Sequence, residues 1–275
     1  MMTIGPELSF SQQVLPTFFV PHGAPTFALR PGVAGAVLSQ AASRLPAVRA
    51  ILVVSAHWET ATPQVGSAQR PKTMHDFWGF APELYQLRYP ATGCPEAAQS
   101  VINTLQSAGF EACAVPERGL DHGAWIPLRL MFAQADVPVL PLSIQPHQDA
   151  AYHYRLGQAL APLTQQGILV LASGNLTHNL RDYLHGLQTG GVTPSYVRQF
   201  SDWIWEGLQQ HDVPALLDYR ALAPGAVRAH PRDEHLLPLY VALGAAGAEA
   251  HVERLHAGID DCVIAMDAFQ FQQQA

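Results

Sequence analysis

Histidine stands out in this chain: there are 13, against 15 Lys and Arg together. Three of them follow short, unbroken apolar runs. Thr17-Phe18-Phe19-Val20 leads through Pro21 to His22, Ile51-Leu52-Val53-Val54 leads through Ser55-Ala56 to His57, and Ile168-Leu169-Val170-Leu171-Ala172 leads through Ser173-Gly174-Asn175-Leu176-Thr177 to His178. Runs of this kind are what strands buried on both faces look like. In open α/β sheets ligands collect beyond the carboxyl ends of the strands, so the three histidines point to one polar site at one sheet edge. Neutral imidazoles that converge suit Zn, Fe, Cu or Ni, because a nitrogen lone pair holds a divalent ion without burying a charge. Taken singly, each reads equally well as a hydrogen-bonded filler of no chemical importance; the repeated pattern favours a site. Two more belong with them. His122 lies between Gly119 and Gly123, which free the backbone to aim a side chain, and His235 follows Glu234 near the start of a late helix.

The elements that must position these residues are legible as an alternation of strands and helices. Helices are expected over Ala34–Arg44, Pro95–Ala108, Ala150–Thr164, Ser195–Gln210 and Val213–Tyr219, and from Pro231 to a stop at Gly244. One or two helical turns are expected over Leu128–Ala133, and strands over Phe110–Val115, Val137–Ile144, His251–Leu255 and Val263–Phe269. The Gly-rich stretch from Arg181 to Pro194 reads as a loop, and Gln64 to Pro90, with Met74, His75, Phe77, Trp78, Phe80, Tyr85 and Tyr89, as strand plus loop. Its aromatics either wall a pocket or pack in the core. The fold class is α/β: one domain over residues 1–275, with a central mixed, mostly parallel sheet flanked by helices, the site at the carboxyl ends of the strands, and loose termini at 1–15 and 270–275.

Composition narrows the classes. No Gly/Ser- or Pro-rich linker divides the 275 residues, and the net charge is −7 with no cluster of Lys or Arg, which argues against nucleic acid and anionic membranes as partners. No apolar run is long enough to span a bilayer and the amino terminus lacks the pattern of a secretory signal. Cys94, Cys113 and Cys262 are few, widely spaced and without CxxC, as expected of reduced thiols in a cytoplasmic protein.

Five segments then resemble, in order, the successive motifs of the class III extradiol ring-cleaving dioxygenases (the LigB-like superfamily), and within it the DOPA 4,5-dioxygenase branch. They are Pro21-His22-Gly23-Ala24-Pro25, Ser55-Ala56-His57-Trp58, Asp121-His122-Gly123-Ala124-Trp125-Ile126-Pro127-Leu128, Ser173-Gly174-Asn175-Leu176-Thr177-His178-Asn179-Leu180 and Glu234-His235-Leu236-Leu237-Pro238-Leu239. The resemblance implies cleavage of a catechol-type ring with O2 at a non-haem divalent metal, giving a muconic semialdehyde. It implies His22, His57 and His235 as metal ligands, with Glu234 and then His230 as other candidates for the third. His178 becomes the general acid/base and His122 a hydrogen-bonding group facing substrate or oxygen. Asp121 either orients His122 or is a turn residue, and Trp58 and Trp125 either wall the pocket or pack in the core. The expected partners are a small aromatic diol and O2. Fe(II) is the metal expected in turnover, since zinc tolerates three neutral nitrogens but has no redox chemistry; Zn(II) is an expected occupant of purified protein. Two rival readings are a zinc hydrolase using metal-bound water and a non-catalytic metal-binding protein on the same fold.

Overall fold

In the computed structural model, which describes residues 14–273, the chain alternates strands and helices as the apolar pattern demands. The elements run β1 (Thr17–Pro21), α1 (Gly32–Ser43), β2 (Ala50–Glu59), β3 (Gln64–Gly66), α2 (Pro95–Ser107), β4 (Cys113–Val115), α3 (His122–Met131), β5 (Val139–Ile144), α4 (Ala150–Thr164) and β6 (Ile168–Gly174). There follow α5 (Leu180–Thr189), α6 (Ser195–Gln209), the short helices α7 (Val213–Leu217), α8 (Tyr219–Leu222) and α9 (Ala226–Ala229), and α10 (Leu237–Ala246). The chain ends with β7 (His251–His256), β8 (Ile259–Asp260), β9 (Ile264–Ala265) and β10 (Ala268–Gln272).

Eight strands form one sheet in the order β4-β3-β5-β2-β6-β1-β10-β7. The middle of it, β5-β2-β6-β1, is parallel, and antiparallel pairings attach β3 at one side and β10 and β7 at the other. Ile51–Val54 and Leu169–Ala172 are wholly buried, as strands covered on both faces must be. Helices flank the sheet: α10 packs on α4, β6 and β1, and α3 on α1 and β2. The α4–α10 contact is backbone on backbone. A Cβ on Gly157 would lie 2.2 Å from the Val241 carbonyl oxygen, and one on Gly244 would lie 2.0 Å from that of Tyr154.

The parallel register fixes the level of the histidines. Val20 and Ser55 both stand opposite Ser173. Two residues on from each come His22, His57 and Asn175, all at the carboxyl edge of neighbouring strands.

Several elements differ from expectation. The stretch after Arg181 is helix α5, not loop. Asn179 caps it by accepting from Asp182 N at 3.0 Å, Leu180, Leu184 and Leu187 share one face, and Gly190 ends it in the left-handed region, so the glycines mark its end and not its absence. His122 is the first residue of a full helix, because the Asp121 side chain accepts from Ala124 N and acts as its N-cap. The late helix starts at Leu237, not Pro231: Pro238 is its first-turn proline, and Glu234 and His235 occupy the turn before it. Only Cys113–Val115 of the strand expected at 110–115 forms, and the strand expected at 263–269 divides into β9 and β10. The termini expected loose are partly packed: Leu15 is buried, and Gln270–Gln272 lie in β10 with Phe271 in the core. The rest of those two segments, 1–13 and 274–275, lies outside the described residues. Among the described residues no helix is long and apolar enough to cross a membrane, and Cys94, Cys113 and Cys262 are free thiols.

Candidate active site

At the carboxyl edge of the sheet the His57 Nε2 atom lies 3.1 Å from His22 Nε2 and 3.2 Å from His235 Nε2. Nitrogen ligands 2.0–2.1 Å from one ion stand about 2.9 to 3.4 Å apart, between the octahedral and tetrahedral edges. Both contacts fall in that interval. His122 packs against His57 with ring centroids 3.9 Å apart, and His178 stacks on His235 at 3.5 Å. Five imidazoles therefore meet at one point, and the metal-competent groups among them are His22, His57 and His122, and His178, Glu234 and His235, joined through the His57–His235 contact.

The hydrogen bonds behind the rings determine which nitrogen faces inward. Pro127 lies inside α3 and has no N–H to give the Gly123 carbonyl, four residues back. That carbonyl accepts instead from Ser173 Oγ. With its hydrogen committed there, Ser173 Oγ accepts from His22 Nδ1 at 3.1 Å, which leaves a bare lone pair on His22 Nε2. Asn175 Nδ2 sits 3.2 Å from the same Nε2, while its Oδ1 accepts from Gly23 N. On the other side His235 Nδ1 donates to Glu234 Oε1 at 3.1 Å, again turning Nε2 inward. A carboxylate or hydroxyl behind a ligating histidine is the usual way such a ring is oriented. Lone pairs brought this close repel one another unless a cation stands between them, so the donor set fits a divalent metal.

Electrostatics agree. Burial first, then the neighbouring imidazoles, hold His22, His57 and His235 well below the ordinary histidine pKa, and burial with His230 and His122 takes His178 to about 3. All four are neutral at pH 7, the form that binds a metal or accepts a proton. Asp76 is the anion beside His57 and His122. Burial pushes its carboxyl up, but hydrogen bonds from His122 outweigh this and leave it at about 2. It accepts from His122 N at 2.8 Å and from His122 Nδ1 at 3.0 Å, and stands 3.8 Å from His57 Nδ1.

A cavity of about 530 Å³ opens over the cluster, walled by Phe77, Trp78, Phe80, Leu180, Tyr183 and Ile264, with all five histidines, Asp76 and Glu234 at its floor and sides. Of the residues expected at the site, Trp58 and Trp125 do not line it. Trp58 is buried under the Arg118 guanidinium and Trp125 is buried with Nε1 donating to Met74 O. Asp121 caps α3, accepts from Ser55 Oγ and pairs with Arg118, and does not touch the His122 ring; Asp76 orients that histidine instead. His230 is buried away from the cavity with Nε2 on Leu176 O at 2.8 Å, so it is not positioned as a ligand. Glu234 lies behind His235 and also 3.9 Å from His178 Nδ1. The residues missed by sequence reasoning are Asp76, Ser173, Asn175, Tyr183 and Arg232. Asp76 sits within the aromatic segment, Ser173 and Asn175 inside the motif that ends at Leu180, Tyr183 three residues after that motif and Arg232 three residues before His235, so proximity was the one available signal.

Residues 34–261 match the family described as the catalytic LigB subunit of aromatic ring-opening dioxygenase. The chain is 39% identical to a 4,5-DOPA dioxygenase extradiol of Beta vulgaris, over 93% of this chain and 96% of that protein. It is 35% identical to a protein of the same name from Escherichia coli K12, over 87% and 88%. The crystal structure of an uncharacterized Escherichia coli K12 protein superposes with a TM-score of 0.77 at 29% identity, covering 93% of this chain and 99% of that one. The chain belongs to the LigB family, whose members are non-haem, metal-dependent, extradiol ring-cleaving dioxygenases, and it is an enzyme of that kind.

Proposed function

We propose that the enzyme opens a catechol ring bearing an amino-acid side chain, of the DOPA type, with O2 at a ferrous ion held by His22, His57 and His235. The observation that carries this is the convergence of three inward-facing Nε2 atoms beneath an aromatic-walled cavity; the likeness to 4,5-DOPA dioxygenases points to the side chain. When bound, ferrous iron supplies open positions for both catechol oxygens and the electron that dioxygen activation requires, which zinc lacks.

The chain's own groups do the rest. His178, neutral and stacked on His235, is positioned to take the proton of a catechol hydroxyl and to return it to the opened product. His122 has its Nδ1–H fixed on Asp76, leaving Nε2 to meet substrate or oxygen. Phe77, Trp78 and Phe80 offer flat apolar surface to the ring and exclude water. The cytoplasm, where thiols remain reduced, suits the three free cysteines.

The test is anaerobic reconstitution with Fe(II), then oxygen uptake and near-visible absorbance over a panel of catechols. One O2 consumed per catechol with a yellow semialdehyde is expected. A protein that binds iron yet consumes no oxygen with any catechol ends this reading. The three neutral nitrogens also suit zinc, so zinc is expected in purified protein and inactive there.

A further inference from the structure

Resting on the reading that a catechol with a side chain occupies the cavity, we infer that Arg232 and Glu59 read the two charges of an α-amino acid group: Arg232 takes its carboxylate and Glu59 its ammonium. Arg232 is the one Lys or Arg among the described residues lining the cavity. Arg70 and Lys72 line a separate recess with Arg88, and Arg181 does not line the active-site cavity. A carboxylated ligand thus has one cation to meet.

The guanidinium has donors to spare. Its Nη2 donates to both oxygens of Glu59, at 2.9 and 2.7 Å, and its Nε lies 3.5 Å from Glu234 Oε2. Among the described residues nothing accepts from Nη1, so a carboxylate can bind there while Glu59 stays in place. Glu59 belongs to the end of β2, two residues beyond His57, and Arg232 to the turn three residues before His235. The charges are therefore carried by the same segments that supply two of the converging imidazoles. Through Glu234 the Arg232 side chain is two contacts from the His235 ring.

The chemistry matches a zwitterion better than a simple acid. Arg232 stands between two carboxylates and brings no net positive charge to the rim. A ligand with a carboxylate alone adds a third anion to this cluster, whereas a ligand that brings its own ammonium leaves the balance unchanged. The Arg232–Glu59 pair is open to solvent, with side-chain exposures of 65% and 36%. Pairs of that kind are held weakly, and being open to solvent this one leaves both groups reachable by a second pair of charges.

The test compares kcat/KM of the Fe(II)-loaded enzyme for L-DOPA, 3,4-dihydroxyphenylpropionate, dopamine and 4-methylcatechol, which carry both charges, the carboxylate only, the ammonium only, and neither. For Arg232→Gln the ratio of L-DOPA to 4-methylcatechol is expected to fall about 10- to 100-fold, the value of a charged hydrogen-bonded contact, mostly through KM. For Glu59→Gln the dopamine ratio falls and the dihydroxyphenylpropionate ratio does not. Arg232→Lys, which keeps the charge without the fork, recovers part of the L-DOPA ratio and serves if the glutamine variant is unstable. Ratios unmoved in both glutamine variants, or lowered equally for all three charged substrates, overturn the assignment. A wild-type enzyme that cleaves none of the four overturns the function itself and this inference with it, whereas failure confined to the variants leaves the ring-opening activity standing.

Discussion

Two of the three proposed ligating nitrogens, those of His22 and His235, are aimed by an atom behind the ring, and that is where single changes act most cleanly. In Ser173→Ala, His22 Nδ1 loses its acceptor and the Gly123 carbonyl its donor. Metal affinity, measured by competition with a zinc chelator, is expected to fall about 10- to 100-fold. Asp76→Asn removes the anion that fixes His122, so kcat is expected to drop about tenfold or more with metal stoichiometry kept, and Asp76→Glu to recover part of it. His178→Ala is expected to keep the metal and lose turnover by about two to four orders of magnitude; unchanged turnover would remove the acid/base assignment. The histidines themselves were legible because His22, His57 and His178 come at the ends of strands, His122 opens a helix and His235 stands just before one. Asp76, Ser173 and Arg232 were not, since a hydrogen bond between residues 46 or 151 apart leaves no periodic trace in a sequence.

Elements were legible where burial sets a period and illegible where a cap decides. β2 and β6 announce themselves as apolar runs, whereas α3 and α5 depend on the side chains of Asp121 and Asn179 closing a first turn. Gly190 and Gly191 follow α5 and Gly186 is accommodated within it, so a Gly-rich stretch concealed a helix whose Leu180 and Tyr183 wall the cavity. The β5–α4 junction carries a pH-dependent contact remote from the metal. His153 Nδ1 donates to Asp149 O at 2.8 Å while its Nε2 accepts from Gln145 N at 3.2 Å, so the pair of bonds needs the neutral ring. Burial, outweighing the Asp149 contacts, lowers its pKa from 6.5 to about 4. A base with a depressed folded pKa contributes fully above 6.5, and that contribution is lost as pH falls from 6.5 toward 4, because the unfolded chain takes up the proton first. From pH 7 to pH 5 the urea-unfolding free energy of the wild type should fall by about 2 kcal/mol more than that of His153→Gln. Equal losses in the two proteins would show that the ring does not titrate this way.

For the molecule as a whole, the mixed α/β sheet with its site at the carboxyl edge was legible from three strands and the histidines that end them, and so were the terminal strands that extend it, while the direction and partners of β3, β10 and β7 were not, since no local pattern specifies a partner strand. The whole also sets a dependence that no single residue reveals. Helix α10 begins two residues after His235 and is seated against α4 at Gly157 and Gly244, where no methyl group fits. An alanine at Gly244 forces the two backbones apart, and a shift of α10 is carried to the turn that holds His235. The first symptom of such a lesion is therefore leakage of the ion: Gly244→Ala is expected to lose bound metal and several degrees of melting temperature together, and excess Fe(II) to restore much of the turnover. A misfit between two helices packed on the sheet would present, on assay, as a fault in the catalyst.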